Sequence, residues 1–576
     1  MKLFDIDYKK CNDCQKCIRS CGVKALHSNN RKVVLMPNFC IACGHCIDVC
    51  PQQCFEFISE IEKVKSHIAA GHKVIASVDS VYSGILKCEH ESFVGGLKKL
   101  GFSEVREVGE AAAYVSEEYY KYSQDENMDN VLTSFCPAFV SLAEKHYPEV
   151  ISQLAPVVNP MIAHGKMIKK RLGKDAIVVY ISPCISFREL SNESDDVNAV
   201  ITFEEVKEWM IDSGIDIDTV EKASFDNPDP MSSRLYPVST GVIRAIEHQI
   251  GREKPLSVVR QRISINGVHN AREVLHAIKK DYVHNCFIEF HACAGGCCNG
   301  SCVEKDRGFA FKAGVDVDHY TNLGKMELKG ELDEKDLVCS FSARKIEQKL
   351  PSEEEIDELM KVIGNISGQP PLDCGACGYN TCRAKAIAMY QGKSPKTMCL
   401  MYSFEKARSM SNLVMTNTPN IIMIVDSEMR IKEFNSKAEE VFRTSKNEAL
   451  DRYLYEFIDT EILCKVFTER KDLLRYKQNW ENRGLTVLVT GKFIKETKSL
   501  LIIIEDITDE EKARERIMEK KLDTVEMAQN VIDKQMRTAQ EIAGLLGETT
   551  AETKAILTRL RDTMLLDDFS DESGDK

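Results

Sequence analysis

Sixteen of the 23 cysteines fall into four sets of four, and their spacing suits electron-transfer chemistry. Cys11, Cys14, Cys17 and Cys21 read C-x2-C-x2-C-x3-C, and Cys40, Cys43, Cys46 and Cys50 repeat the pattern. Three closely spaced thiolates grip three irons of one cubane, and the fourth cysteine of each run crosses to the other cluster. Cys50 then completes the first cubane and Cys21 the second. The alternative is eight structural or zinc thiols, but zinc favours four ligands in paired C-x2-C knuckles. A further set, Cys374, Cys377, Cys382 and Cys399, offers four thiolates to a cubane, with zinc left open by ligand count. Cys136, Cys184, Cys293 and Cys297 lie instead in three separated segments, TSFCPAF, SPCISFR and EFHACAGGCCNG. Cysteines on separate loops suit a buried cofactor held by a rigid scaffold. Gly295 and Gly296 would let backbone come close to it. The remaining seven, Cys54, Cys88, Cys286, Cys298, Cys302, Cys339 and Cys464, default to small core or surface residues, with Cys298 and Cys302 the nearest exceptions.

The elements that must position these thiols divide a chain too long for one core. The expected fold class is multidomain α/β and α+β. Residues 1–58 hold two cysteine sets and little apolar material, so clusters would replace the core. Over 65–345, strand-like runs such as KVIASVDSV, DAIVVYIS and NCFIEFHAC alternate with helical patterns such as FEEVKEWMIDSG, which predicts α/β with cysteines at the strand ends. A single-cluster domain is expected over 350–405, and a mixed α+β unit with strands IIMIVD, RIKEFN and SLLIIIED over 409–508. Residues 509–566 read as a helical output segment. A heptad-like series there runs Met518, Lys521, Val525, Ala528, Ile532, Gln535, Ala539, Ile542, Leu546. One apolar stripe on a charged helix predicts a homodimer, against which stands local packing on the preceding domain. Gly547 ends the series, Thr549 and Glu552 form a capping box, and 567–576 is expected to be a disordered tail.

A formal charge of -13 and a pI near 5.6 disfavour nucleic acid, whose backbone is met by many lysines and arginines. The start MKLFDIDYKKC has no apolar core, and the longest apolar run, residues 500–504, is far too short for a bilayer. The expectation is a cytoplasmic protein without membrane contact. Thiols stay reduced in that compartment, so clustered cysteines point to metal.

Several stretches resemble known families. The first eight cysteines resemble a bacterial two-cluster ferredoxin domain, with Gly22 where a proline usually stands. The three segments around Cys136, Cys184, Cys293 and Cys297 resemble the signature segments of the FeFe-hydrogenases, as do Ala143, Glu144, Lys145, Tyr147, Pro148 and Glu149. That resemblance implies a cubane on Cys136, Cys184, Cys293 and Cys297, with Cys297 bridging to a di-iron unit carrying carbonyl, cyanide and dithiolate, together the H-cluster. It implies H2 and protons as substrates and an electron-transfer partner such as ferredoxin. The departures concern proton handling. Phe135 replaces the proton-passing cysteine, Ala155 and Leu190 stand on the relay with Glu189 as a substitute, and Phe187 replaces the cyanide-contacting lysine. Ser182 and His291 replace two methionines, and His291 becomes the candidate proton carrier. Loss of the di-iron unit, as in hydrogenase-like assembly proteins, stays open, as does a working ferredoxin-linked hydrogenase.

The set ending at Cys399 is similar to the single 4Fe-4S domain of corrinoid iron-sulfur proteins and some regulatory hydrogenases. Residues 409–508 resemble a PAS domain, through IIMIVDSEMRIKEFNSKAEEVF and LLIIIEDITDEE. No histidine follows His319, so neither a histidine-ligated haem nor a phospho-accepting histidine fits there. This order of modules resembles the sensory FeFe-hydrogenases. It implies three ferredoxin-type 4Fe-4S clusters plus the H-cluster, a relay running from ferredoxin domain to H-cluster domain to single-cluster domain, slow hydrogen turnover, and a kinase or phosphatase partner.

Overall fold

A computed structural model describes residues 4–29, 32–251, 258–304, 306, 308–363, 371–543 and 550–566. The chain divides into two compact units, Met1–Ser403 and Phe404–Lys576. Leu546, Gly547, Thr549 of the capping box, and the tail at 567–576 lie outside what is described.

In the first unit the cysteine-dense start forms two small antiparallel ribbons. Phe4–Ile6 (β1) pairs Phe55–Phe57 (β4), and Leu26–Asn29 (β2) pairs Lys32–Leu35 (β3). Behind them stand two parallel sheets. One takes the order β6-β5-β8-β9, built of Val74–Val78 (β5), Glu104–Glu107 (β6), Ile177–Ser182 (β8) and Ala199–Thr202 (β9). The other takes the order β10-β11-β7, built of Val131–Leu132 (β7), Gln261–Asn266 (β10) and Cys286–His291 (β11). Strands β5, β9 and β11 are buried along their whole length, as parallel strands covered on both faces must be, and they read as near-continuous apolar runs. The expected helix at FEEVKEWMIDSG is Phe203–Asp212, started by a capping box between Thr202 and Glu205. Three cysteine loops leave the carboxyl ends of parallel strands. Cys136 follows β7 and starts the helix Pro137–His146, Cys184 follows β8, and Cys293 follows β11. Ligands of open parallel sheets collect at that edge.

The module at 371–403 packs on the cysteine-dense start. Tyr379, Ala388 and Met398 share one buried cluster with Phe4, Ile18, Leu26 and Val33. A relay in chain order, with the single-cluster module following the H-cluster domain, is therefore not how the modules are packed, because apolar burial returns the chain to its beginning.

The second unit carries a five-stranded antiparallel sheet in the order β13-β12-β16-β15-β14. Its strands are Ile421–Val425 (β12), Ile431–Phe434 (β13), Leu473–Trp480 (β14), Leu485–Ile494 (β15) and Ser499–Asp506 (β16). Strands β14 and β15 escaped the sequence reading. β14, LLRYKQNW, is a largely exposed edge strand with no apolar alternation to mark it. The unit's entry differs too, since residues 409–417 belong to the helix Leu400–Asn417. Thr508–Ala543 is one continuous helix. Between residues 518 and 542 its half-buried positions are Val525, Gln529, Ile532, Met536 and Ala539, so Gln529 and Met536 take places the heptad series gave to Ala528 and Gln535. The helix also contacts Thr550–Leu566. No helix among the described residues is long and apolar enough to cross a membrane.

Candidate iron-sulfur and cofactor site

Cys136, Cys184, Cys293 and Cys297 meet at one narrow cavity of about 20 Å3, with Phe135, Phe187, His291 and Cys43 also in its wall. Each loop is pinned by the sequence around it. Ser182 accepts from the Cys184 backbone N–H (3.0 Å) and donates to the Cys184 carbonyl (2.9 Å), closing a tight turn after β8. The Ser186 hydroxyl lies 3.0 Å from the Cys184 sulfur. Asn159 donates to the Phe135 carbonyl (2.5 Å), and Ser134 donates to Val157 O (2.6 Å), so the Cys136 loop is held from two sides. The Cys297 backbone N–H donates to Pro237 O (2.7 Å). Gly296 serves that approach: it has φ +81°, and an added Cβ would sit 2.4 Å from Pro237 O. Gly295, at φ +88°, has no protein atom within 4 Å of an added Cβ.

Burial sets the protonation of the thiols. It pushes Cys136 up to about 11 and Cys297 well above the ordinary thiol value. The same cause raises Cys17 to about 12 and Cys40 to about 11. Iron binds thiolates, so loading these sites releases protons and low pH opposes it. The thiols that act electrostatically on Cys17 are those of Cys50, Cys14 and Cys11, whereas Cys43 feels Cys21, Cys40 and Cys184. Backbone N–H groups aim at cluster sulfurs: Ala25 at Cys21 (3.3 Å) and Ala42 at Cys40 (3.3 Å). In the last set, the Cys382 N–H donates to Asp373 (2.5 Å) and the Cys399 thiol to Ile363 O (2.9 Å). Among the described residues no three His, Cys, Asp or Glu side chains converge to hold a single ion. A cubane has no such need, since each thiolate binds a different iron corner.

The cavity wall is apolar on the side where the departures lie. Phe135 packs edge-on against Tyr236 (5.2 Å) and His291 (5.7 Å), and Phe187 packs on Tyr180 (5.1 Å). Arg188, beside the missing lysine, turns away to Glu205 (2.6 Å), Val200 O (3.0 Å) and Ile58 O (2.7 Å). Glu189 does not reach the cysteine cavity. It pairs with Lys145 (3.3 Å) and lines a separate cavity of about 310 Å3, which shares only Pro137 and Ser186 with the first. Cys298 is sealed in the core and Cys302 stands outside the cavity wall.

His291 is the polar exception. It is fully buried, its Nε2 lies 2.7 Å from Glu289 Oε1, and its Nδ1 has no partner. With Nε2–H donated to the carboxylate, Nδ1 presents a lone pair. Glu289 is itself buried and accepts from the Ile243 N–H (2.9 Å) and the Ser264 hydroxyl (3.1 Å). Ser264 is half-buried and in turn accepts from the Thr240 N–H (3.2 Å). Glu289 and Ser264 were missed in the sequence. A glutamate inside the apolar strand CFIEFH was the available signal, because an acid is rarely fully buried without a partner.

The donor set fits a cubane: four thiols line one cavity. A di-iron unit would hang from Cys297, with His291 among the residues of the same cavity.

Comparison with known proteins places these features in a family context. Residues 63–301 match the family "Iron only hydrogenase large subunit, C-terminal domain", residues 4–51 the "4Fe-4S dicluster domain", and residues 370–401 an Fe-S cluster family. Subunit HndD of the NADP-reducing hydrogenase of Solidesulfovibrio fructosivorans is 25% identical over 370 residues, 51% of this chain and 63% of the relative. Iron hydrogenase 1 of Clostridium pasteurianum is 23% identical over 374 residues, 52% of this chain and 64% of the relative. The chain thus spans less than two thirds of either hydrogenase. The nuclear prelamin A recognition factor of Xenopus laevis is 22% identical over 332 residues, 45% of this chain and 73% of that protein. A solved apo FeFe-hydrogenase HydA1 of Chlamydomonas reinhardtii is 16% identical with a TM-score of 0.41, covering 50% of this chain and 100% of its own. The chain therefore carries an iron-only-hydrogenase large-subunit domain and a 4Fe-4S ferredoxin domain.

Proposed function

We propose that this chain is a multi-cluster redox protein of the sensory hydrogenase type, with slow interconversion of H2 and protons at an H-cluster. The observation that carries this reading is the single cavity joining Cys136, Cys184, Cys293 and Cys297, with His291 among its lining residues. The four cysteines would hold a cubane, and a di-iron unit on Cys297 would supply the chemistry that cleaves dihydrogen. The chain's own residues limit the protons. Phe135 offers neither donor nor acceptor, and Ala155 and Leu190 carry nothing onward. His291 is the candidate proton carrier, and Glu289 fixes its ring through Nε2. Ser264 connects that pair to the half-exposed edge of β10. Slow turnover suits a sensor, because redox state can follow hydrogen without draining it. PAS-type signalling from residues 409–508, a homodimer, and a kinase or phosphatase partner complete the reading.

A second reading keeps the cubane and omits the di-iron unit. Two observations favour it: the narrow cavity beside Phe135 and Phe187, and the likeness to a cytosolic Fe-S cluster assembly factor of Xenopus tropicalis. Infrared spectra of the matured protein separate the two. Bound carbonyl and cyanide bands support hydrogen chemistry, and their absence from a chain with all four cubanes loaded leaves the cubane-only protein.

A further inference from the structure

The two N-terminal cysteine sets are not equivalent in their surroundings. The set of Cys21, Cys40, Cys43 and Cys46 touches the large domain: Cys43 lines its cysteine cavity, and the Gly44 Cα packs so tightly on Ser301 that no Cβ fits between them. Lys145 donates to Cys40 O (2.6 Å) from the same side. The module of Cys374, Cys377, Cys382 and Cys399 presses on other edges of this same set. Gly378 stands against Arg19, where an added Cβ would lie 2.5 Å from the Arg19 carbonyl oxygen. Tyr379 is covered by Lys24 (Nζ 4.9 Å from the ring centre) from one module and Lys385 (5.7 Å) from the other. Lys393 lies over Phe39, the residue before Cys40 (4.3 Å). Cys21 and Cys40 are thus flanked by the third module, while Cys43 faces the cavity.

We propose that the cubane of Cys21, Cys40, Cys43 and Cys46 is a three-way electron junction, and that the cluster of Cys374, Cys377, Cys382 and Cys399 is a side branch filled directly from it. In the step, the junction cubane is oxidised by one electron and the branch cubane reduced by one, with no bond made or broken. Half-buried Lys24 and buried Lys385 and Lys393 stand at the contact between the two modules, where a protonated amine would favour an added electron on either side. The branch ends at Cys399, immediately before the helix Leu400–Asn417, so its redox state is held next to the segment leading to the second unit. The inference rests on cubane loading alone and not on hydrogen chemistry. Iron analysis reports failure of loading, and spectroscopy of the loaded chain reports failure of the branch.

The test is electron paramagnetic resonance of the reconstituted full chain in its fully reduced state. The junction signal is identified by its loss in Cys43→Ser. Cys382→Ser removes about four irons, and the expected result is loss of magnetic interaction in the junction signal with the cavity cubane unchanged. An unchanged junction signal, or a change confined to the cavity cubane, overturns the branch. Gly378→Ala, which wedges the modules apart, should keep all cubanes and weaken the interaction. Gly375→Ala imposes the same left-handed strain at φ +69° with nothing within 4 Å, and should keep the interaction at native strength. Equal interaction in the two glycine variants overturns the junction.

Discussion

Replacing Phe135 by cysteine separates proton supply from every other cause of slow turnover. The ring is nearly fully buried and packs edge-on against Tyr236 and His291. Its loss leaves a cavity; Phe→Ala changes in cores cost about 3–5 kcal/mol, and the retained sulfur puts Phe135→Cys near the lower end, about 3 kcal/mol. A unit of this size then melts lower by about 6 °C, at roughly 2 °C per kcal/mol. Turnover moves the other way. A positioned acid or base contributes about 100- to 10,000-fold, and with Ala155 and Leu190 still silent the gain should be about 100-fold. Hydrogen–deuterium exchange on protein showing carbonyl and cyanide bands reads the rate, and calorimetry reads the stability. Loss of stability with no rise in exchange would refute proton starvation at Phe135. A native protein already as fast as a metabolic hydrogenase would refute the sensory reading.

His291→Ala should lower the residual exchange about 100-fold, and Glu289→Gln less, since an amide oxygen still accepts the Nε2 proton; equal effects would remove Glu289 as the positioning group. At Glu110, burial pushes the carboxyl up, but His164 (2.8 Å) and Arg106 (2.7 Å) outweigh it and hold the group below its ordinary 4.5. A lowered pKa stabilises above the unfolded value and is lost as pH falls through the folded one. Urea unfolding should therefore show stability falling below about pH 4.5, with a flatter acid limb in Glu110→Gln and about 3–5 kcal/mol less stability at neutral pH; parallel acid limbs would sink this account. Truncation after residue 508 removes a helix that exposes Met518, Leu522, Val531 and Ile542, and light scattering should shift toward monomer; an unchanged mass places any dimer elsewhere. Iron analysis after full maturation should approach about 18 atoms, four cubanes and a pair; a chain that loads only the two N-terminal cubanes defeats the four-set reading.

The cysteine chemistry was legible in the sequence because cluster ligands are specified by local spacing or by short segments that end strands. Cys184 and Cys293 each follow a readable apolar run, whereas Cys136 follows only the two-residue strand Val131–Leu132; all three lie at the carboxyl ends of parallel strands. The helix at Phe203–Asp212 was equally plain, since its capping box lies within four residues. What depends on register or docking was not legible. Ser264 and Glu289 face each other only because β10 pairs β11 in parallel at that register, and neither residue announces the other across the intervening chain. Gly378 meets Arg19 because the third module's small apolar face must be buried somewhere, and the start of the chain offers the matching surface. The edge strand Leu473–Trp480 is defined by backbone pairing with β15, not by its own side chains. Local covalent pattern fixed which atoms can hold iron. Only the burial of apolar surface between distant segments decided which cysteine set lies beside which.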